Sequence, residues 1–228
     1  MKLELIAKKV ETVDVTSFIF KPLAPLTWQA GQFLHYVLHH EPTDDRGSDR
    51  WFTVAAAPFE EHVMITTRLT SEKGSSFKTK LSSLPIGKKI EVSDVDGDFT
   101  IDDPNKEYVF IAGGIGVTPF RSILKQLEHE KKPINVTLLY ANRDQSIVYK
   151  EELEAIAKNN PHFNIHYIFS PEHIDEQKIK EYVPDVQKPF FYISGPEPLV
   201  DSLGNMLKAM GIQEDHIKQD WFPGYTAE

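Results

Sequence analysis

Three glycines follow an apolar run in the second half of the chain, and their spacing could bind a phosphate. Residues 108–112 read as a buried strand, Gly113, Gly114 and Gly116 come next, and a helical pattern covers residues 117–131. Glycines let a backbone approach a ligand closely, and the free amides and dipole of a first helical turn favour negative charge. This strand–turn–helix pattern therefore predicts a nucleotide phosphate site.

The match to a dinucleotide fingerprint is partial. Gly114 and Gly116 fit the first two glycines of Gly-x-Gly-x-x-Gly, but Pro119 stands at the third position. Thr118 is expected to cap the helix, and Pro119 to be its first residue. A tight turn before a core helix is the competing interpretation of this stretch taken alone.

A second set of candidate residues lies in the first half of the chain. Arg50 could hold a phosphate bidentately, Phe52 offers a flat apolar face to a ring system, and Thr53 offers a hydroxyl. Ser75 and Ser76 can cap a short helix whose free amides face an anion. In isolation, these residues also fit an ordinary strand with a surface arginine and a capped surface helix.

The loop after the second strand of the second half is a candidate for binding a ribose. Asn142 and Arg143 lie there, and Arg143 could hold a 2′-phosphate or pair with Asp144 on the surface. The nine histidines show no metal-ligand spacing, so no metal site is expected. Lysines between residues 73 and 89 could dock an acidic protein partner or form a solvated face.

The elements that must position these residues are of two kinds. The first hundred residues contain short β-branched and aromatic segments separated by polar or Gly/Pro turns, which predicts a barrel or sandwich. Six strands are expected, at residues 3–10, 16–20, 32–38, 51–55, 62–67 and 89–92, with one short helix at 75–84.

After residue 104 the pattern alternates strands with helices, which predicts a parallel sheet covered on both faces. Strands are expected at 108–112, 135–140, 164–169 and 190–194, and helices at 117–131, 149–158, 175–182 and 198–209. The predicted fold is therefore an antiparallel β-barrel domain, residues 1–103, followed by an α/β parallel-sheet domain, residues 104–228.

Composition argues against several classes of function. The 228 residues are 40% hydrophobic and 26% charged, which is ordinary for a globular protein, and the formal net charge is −9. Nucleic acid and anionic membranes reward excess Lys and Arg, so neither is an expected partner. The absence of cysteine rules out disulfides, thiolate catalysis and a thiolate-held iron–sulfur cluster. No run resembles a signal peptide or a membrane span, so a cytoplasmic protein is expected.

Taken in order, the motifs resemble those of the ferredoxin–NADP reductase-like flavoenzymes along nearly the whole chain. Residues 50–53, Arg-Trp-Phe-Thr, are similar to the family's Arg-x-Tyr/Phe-Ser/Thr flavin motif. Residues 31–33, Gly-Gln-Phe, are similar to its Gly-Gln-Phe/Tyr strand start. Residues 74–78, Gly-Ser-Ser-Phe-Lys, resemble the flavin-pyrophosphate segment of one bacterial subgroup.

The second half continues the resemblance. Residues 113–119 match the family's Gly-Gly-x-Gly-x-Thr-Pro nicotinamide motif, which accounts for Pro119 at the third fingerprint position. Residues 194–196, Ser-Gly-Pro, stand where many members have Cys-Gly-Pro. Residues 220–222, Asp-Trp-Phe, resemble the acidic-x-aromatic tail.

The resemblance implies a flavin-binding barrel and a nicotinamide-binding α/β domain, with the active site in the cleft between them. Thr53, Thr118 and Ser194 are expected to align the reacting rings, and Phe222 or Trp221 to cover the flavin, so the catalytic candidates are Thr53, Thr118, Ser194 and Phe222. The candidate cofactor-binding residues are Arg50, Trp51, Phe52, Thr53, Thr67, Arg68, Gly74, Ser75, Ser76, Gly113, Gly114, Gly116, Thr118, Asn142, Arg143, Gly195, Pro196, Trp221 and Phe222.

Three residues depart from the family pattern. Phe52 lacks the phenolic hydroxyl that many relatives have, and Ser194 replaces a cysteine near the nicotinamide. The glycine-to-serine spacing at Gly74 also differs from the commoner form. The resemblance favours FAD over FMN.

The expected function is an NAD(P)H-dependent, FAD-containing oxidoreductase. NADH or NADPH would deliver a hydride to bound FAD, and electrons would pass to a separate acceptor: a ferredoxin, a flavodoxin, an oxygenase component or a small molecule. Two alternatives stay open. One is a free-flavin or ferric-chelate reductase, in which flavin is a substrate. The other is a redox-sensing or regulatory subunit that keeps the nucleotide site. The donor preference and the oligomeric state do not follow from the sequence.

Overall fold

A computed structural model of the chain describes residues 1–69 and 75–222. The chain divides into two compact units, Met1–Thr100 and Ile101–Glu228. The division lies beside the domain boundary expected between Asp103 and Pro104. None of the helices in the described part of the chain combines the length and the apolar character that crossing a lipid bilayer requires.

The first unit is built on a curled antiparallel sheet. Its strands are β1 Lys2–Val10, β2 Val15–Pro22, β3 Phe33–Val37, β4 Asp49–Thr53, β5 Val63–Arg68 and β6 Lys89–Asp96, in the order β4-β3-β6-β1-β2-β5. Alternate side chains such as Leu3, Leu5, Phe18 and Phe20 are buried, because successive residues of a strand point to opposite faces. The predicted antiparallel β domain is confirmed.

Strand β4 lies two residues earlier than the sequence predicts. It ends at Thr53. The Val54 amide still donates to the Gln32 carbonyl beside β3, but the Ala55 amide turns to the Met64 carbonyl on β5, both at 2.9 Å. The predicted start at residue 51 is therefore wrong, and Arg50 is a strand residue.

The first unit also has an α-helix, α1 Ser76–Ser83, which precedes β6. Ser75 is its N-cap, since its hydroxyl accepts a hydrogen bond from the Lys78 amide at 3.4 Å. Phe77 and Leu81, four residues apart and thus on one helix face, are buried. This burial docks α1 onto the unit and fixes where its free N-terminal amides point.

The second unit is a parallel sheet with helices in its connections. Its elements are β7 Tyr108–Gly113, α2 Thr118–His129, β8 Val136–Asn142, α3 Lys150–Asn159, β9 Phe163–Phe169, α4 Glu176–Tyr182, β10 Phe190–Pro196, α5 Glu197–Ala209 and β11 Ile217–Phe222. The strand order is β11-β10-β7-β8-β9, and all neighbours are parallel. Every residue of β7 is buried, as expected of a strand covered on both faces. The predicted α/β parallel-sheet domain is confirmed.

Strand β11 is a fifth strand where the sequence predicts four. It pairs with β10 from Phe191 opposite Ile217 to Pro196 opposite Phe222. Its charged residues, Lys218 and Asp220, interrupt the continuous apolar run by which the interior strands were predicted. An edge strand tolerates such residues, because one of its sides is left unpaired.

Helix α2 begins differently from the expectation. Thr118 is its first helical residue and not its cap, and Val117 stands at the cap position without a side-chain cap bond. A 3-10 turn, Gly114–Val117, leads directly into the helix, and the Thr118 hydroxyl donates to the Ile115 carbonyl at 3.2 Å. Because the turn runs on into the helix, the capping role predicted for Thr118 is wrong.

Candidate functional site

Strand β4 brings Arg50 and Phe52 to helix α1. The Phe52 ring lies 5.7 Å from the Phe77 ring of α1, centroid to centroid, and the Arg50 guanidinium lies 5.7 Å from the same Phe77 centroid. Arg50 and Phe52 are two residues apart on a strand, so they share a face. The structure therefore groups these two predicted residues.

Trp51 lies on the other face of β4. Its ring stacks on His35 at 4.5 Å and meets Phe33 edge-on at 5.3 Å, and 46% of the residue is exposed. The structure does not bring Trp51 together with Arg50 and Phe52, because neighbouring residues of a strand point in opposite directions. Its assignment to the cofactor stays a prediction.

Arg50 and the N-terminus of α1 meet at one anionic group, the carboxylate of Asp44. Arg50 Nη2 donates to Asp44 Oδ1 at 2.9 Å and to Oδ2 at 3.2 Å, and it lies 3.3 Å from the Ser75 hydroxyl oxygen. The Ser76 amide, the first of α1, donates to Asp44 Oδ2 at 2.7 Å. An arginine and a free helix amide that converge in this way form an oxyanion site. Gly74 lies outside the described residues.

Asp44 is held in its ionised form. Burial alone would raise the pKa of Asp44, but hydrogen bonds from the Ser76 and Arg46 amides and from Arg50 outweigh burial and lower the pKa from 3.8 to about 2. The oxyanion site therefore accommodates a full negative charge at neutral pH.

The hydroxyls of Thr53, at the end of β4, and of Tyr36, beside Phe52, are buried and have no hydrogen-bond partner among the described residues. Thr53 is 3% exposed, and the Tyr36 ring meets Phe52 edge-on at 5.8 Å. Burial raises the pKa of Tyr36 far above its ordinary value of 10.0. A buried hydroxyl without a partner costs about 1–3 kcal/mol, so Thr53 fits the ligand contact that the resemblance implies.

Thr67 and Arg68, the other predicted cofactor-binding residues of the first unit, are the last two residues of strand β5. Thr67 is buried, and the Arg68 guanidinium pairs with Asp14 at 3.1 Å. Asp14 precedes β2, and its carbonyl accepts from the Leu69 amide at 2.7 Å. The structure thus shows Arg68 bound to Asp14, and a cofactor role for Thr67 and Arg68 stays a prediction.

The predicted glycines of the second unit lie where the strand order reverses. Strands β8 and β9 extend the sheet on one side of β7, and β10 and β11 extend it on the other. In open α/β sheets, ligands bind outside the carboxyl ends of the strands at such a point. Here these ends carry Gly113 on β7 and Gly195 with Pro196 on β10.

Gly116 lets the turn after β7 touch β10. A Cβ on Gly116 would overlap the carbonyl of Ser194 and lie 2.7 Å from Gly195 Cα, so a side chain does not fit. Gly114 adopts a left-handed backbone conformation, with φ of +53°, which also favours glycine. The glycine spacing is therefore required by strand packing as well as suited to a nucleotide.

Ser194 is fully buried and contacts an acid that sequence reasoning left without a role. Its hydroxyl donates to Asp220 Oδ2 at 3.3 Å, across the β10–β11 pair. Asp220 was missed because β11 was not predicted, and the acidic-x-aromatic motif was its sole signal. Trp221 is 47% exposed, and the Phe222 side chain lies outside the described residues.

Asn142 orders the loop that follows β8. Its side-chain amide donates to the carbonyls of Asp144 at 2.9 Å and Ser146 at 3.1 Å, and the Ser146 amide donates to Asp144 Oδ1 at 2.7 Å. Arg143 is exposed at the same carboxyl edge of the sheet. Arg143 therefore lies in a loop whose backbone is held by hydrogen bonds. The role of Arg143 in binding a ribose stays a prediction.

Comparison with known proteins agrees with this geometry. Residues 110–204 match the family described as the oxidoreductase NAD-binding domain. The chain is 28% identical, over 246 aligned positions, to a flavohemoprotein of Rhodopirellula baltica, covering 96% of this chain and 59% of that protein. It is 27% identical to the ferredoxin reductase component of a 3-ketosteroid-9-alpha-monooxygenase of Rhodococcus rhodochrous, covering 96% and 64%. The chain thus spans less than two thirds of the length of these relatives.

A solved structure shares both units. The FAD/NAD-binding domain of the nitric oxide dioxygenase of Vibrio cholerae superposes with a TM-score of 0.83 at 22% identity, covering 97% of this chain and 98% of that one. That likeness shows the fold, and the family match covers the strands and turns of the second unit that carry the glycines and Ser194. Residues 110–204 thus match the oxidoreductase NAD-binding family, and the chain as a whole has the two-unit fold of the ferredoxin–NADP reductase-like flavoenzymes.

Proposed function

We propose that the chain is an NAD(P)H-dependent, FAD-containing reductase that passes electrons to a separate acceptor. The domain of residues 1–103 would bind FAD, and that of residues 104–228 the nicotinamide dinucleotide. The observation that carries the proposal is the close packing of Gly116 on Ser194 and Gly195. It forms a glycine-lined turn at the reversal point of a parallel sheet, where dinucleotides bind.

The first unit offers a flavin three kinds of contact. Arg50 and the first amide of α1, that of Ser76, are donors for phosphate oxygens, as their hydrogen bonds to the Asp44 carboxylate indicate. Phe52 supplies an apolar ring, and Thr53 supplies a buried hydroxyl that lacks a described partner. These contacts support FAD binding, with Gly74 and Ser75 as further candidates.

The second unit would align the nicotinamide. When bound, FAD accepts a hydride from NADH or NADPH and passes electrons onward singly or in pairs. Ser194 and Asp220 would fix the position of the nicotinamide, and Gly113, Gly114, Gly195 and Pro196 would line the turn. The Thr118 hydroxyl is bonded to the Ile115 carbonyl, so we assign Thr118 the role of holding that turn. Trp221 or Phe222 would cover the flavin.

The acceptor is proposed to be a ferredoxin- or flavodoxin-type protein, an oxygenase component or a small molecule. The name of the Rhodococcus rhodochrous relative, the ferredoxin reductase component of a monooxygenase, supports the oxygenase class. A cytoplasmic location stays a prediction. A second candidate function, reduction of freely exchanging flavin, is favoured by the contact between Arg50 and Asp44.

Flavin retention tests the assignment of Arg50. Flavin-free protein is loaded with FAD, desalted and assayed for bound flavin. Wild type should retain FAD, and Arg50→Ala should lose most of it, because the strongest phosphate donor is gone. Arg46→Ala is the matched control, since this arginine of the same loop lies 3.7 Å from Asp44 with 43% of its side chain exposed. Equal retention by wild type and R50A would remove Arg50 from the site.

A further inference from the structure

Asp44 occupies the donors that the proposed function assigns to a flavin phosphate. Its carboxylate accepts two hydrogen bonds from Arg50 Nη2, at 2.9 and 3.2 Å, and one from the Ser76 amide at 2.7 Å. The Arg46 amide adds another at 3.0 Å. The charge of Asp44 is thus compensated by the same donors that would hold a phosphate.

The second terminal nitrogen of Arg50, Nη1, is also engaged. Its two N–H groups are shared among the carbonyls of Arg46 at 2.7 Å, Gly47 at 3.1 Å and Asp49. These bonds tie the guanidinium to the β3–β4 loop and leave Nη2 facing Asp44 and Ser75. A phosphate can therefore reach Nη2 and the Ser76 amide when the Asp44 carboxylate leaves.

The two anions compete for one place. A carboxylate and a phosphate both accept hydrogen bonds through negatively charged oxygens. Two anions that share the same donors repel each other, so binding of one disfavours binding of the other. The loop that carries Asp44 has exposed residues on both sides of it, at 41–43 and 45–46. It is tied to α1 by the Asp44 carboxylate and by the Asp44 amide, which donates to the Ser76 hydroxyl oxygen at 3.0 Å.

His40 completes the contact between the loop and α1. Its Nδ1 donates to the Leu38 carbonyl at 2.6 Å, and its Nε2 is hydrogen-bonded to the Ser76 hydroxyl at 2.9 Å. The Ser76 hydroxyl oxygen also accepts from the Asp44 amide. The site is thus closed over α1 by a continuous set of hydrogen bonds.

We propose that Asp44 is an internal competitor for the flavin phosphate, and that FAD or FMN binds by displacing it from Arg50 and Ser76. This inference rests on the proposed function. Asp44 lowers the affinity for flavins that carry a phosphate and leaves riboflavin, which has none, unaffected. Asp44 therefore speeds the release of FAD and FMN relative to a chain without this carboxylate.

The test compares the dissociation constants of FAD, FMN and riboflavin, measured by flavin fluorescence. Asp44→Asn keeps the shape of the side chain and removes its charge, so FAD and FMN should bind at least about 10-fold more tightly than to wild type. Riboflavin binding should not change. Asp45→Asn is the matched control, an exposed acid next to Asp44 whose removal should leave all three constants as in wild type.

Unchanged FAD binding by D44N would overturn the inference. Weaker binding would also overturn it and would show that Asp44 positions Arg50. Equal tightening for riboflavin would also overturn it, because the effect would not act through phosphate. A second measurement, amide hydrogen exchange of the wild-type protein, does not require the D44N variant to fold. FAD should speed the exchange of the Asp44 and Arg46 amides, which donate within this network, and equal or slower exchange contradicts the inference.

These outcomes separate the inference from the function on which it rests. A wild-type protein that binds no FAD at any concentration, and in which NADH and NADPH reduce no flavin, refutes the proposed function. A wild type whose flavin is reduced, together with a D44N protein of unchanged affinity, refutes the competitor role of Asp44 alone.

Discussion

Thr53 and Thr66 are buried threonines of the same unit whose hydroxyls have different surroundings. The Thr66 hydroxyl lies 2.7 Å from the Ser17 hydroxyl, whereas that of Thr53 has no partner among the described residues. In flavin-free protein, Thr66→Val should therefore cost about 1 kcal/mol of unfolding free energy and Thr53→Val should be neutral or stabilising. Denaturant unfolding of both variants measures the difference. A loss in T53V as large as that in T66V would contradict an unused hydroxyl at position 53.

The same pair of variants tests catalysis. If the Thr53 hydroxyl contacts the flavin, T53V loaded with FAD should accept a hydride several-fold more slowly, as the loss of one hydrogen bond of about 1 kcal/mol requires. T66V should react at the wild-type rate. Rapid mixing with excess NADH under anaerobic conditions gives both rates, and equal rates for T53V and wild type would exclude Thr53 from the reacting group.

Asp44 makes the stability of the flavin-free protein depend on pH. Because folding lowers its pKa from 3.8 to about 2, its contribution is complete above the unfolded value and is lost as pH falls through about 2. Arg50 and Arg46 face the carboxylate, and His40 reaches it through Ser76. Wild type should melt at a higher temperature than D44N near about pH 6, and the gap should close towards about pH 2. A gap that does not vary with pH would contradict an ionised Asp44.

At the scale of elements, the junction between the β7 turn and β10 has no room for a side chain. Gly116→Ala should destabilise the second unit by about 1–3 kcal/mol, because its Cβ would overlap the backbone of Ser194. Gly204→Ala is a matched control on α5, where the new Cβ meets the movable end of the Gln219 side chain. A helical alanine offsets that cost by about 1 kcal/mol. Equal denaturation midpoints for the two variants would contradict the packing role of Gly116.

Local sequence patterns predict a helix or strand well when the residues of that element alone show its hydrophobic periodicity or apolar run. The wholly apolar β7 and the paired Phe77 and Leu81 of α1 were recognised in this way. Strand β11 was not, because its evidence is pairing with β10, a contact distant in sequence. For the same reason, the contact of Ser194 with Asp220 and that of Arg50 with Asp44 could not be predicted, although Ser194 and Arg50 were themselves identified.

At the scale of the whole molecule, the order of the motifs along the chain predicted the fold and the cofactors better than any single motif did. The fingerprint at Gly114 and Gly116 was incomplete, and the flavin motif alone fitted an ordinary strand. Their sequence order predicted an antiparallel unit followed by a parallel one, and the structure has both. Net charge and composition argue against nucleic acid and anionic membranes as partners, but they do not identify the electron acceptor. A net charge is a sum over the whole chain, whereas an acceptor is recognised by individual residues.

Anaerobic mixing of the FAD-loaded protein with NADH and, in parallel, with NADPH tests the reductase assignment most directly. The absorbance of oxidised flavin should bleach with at least one donor at a rate that saturates with donor concentration. It should return when an electron acceptor is added, because under the proposed function the reduced flavin passes its electrons onward. Flavin that stays bound and oxidised with both donors would contradict the account.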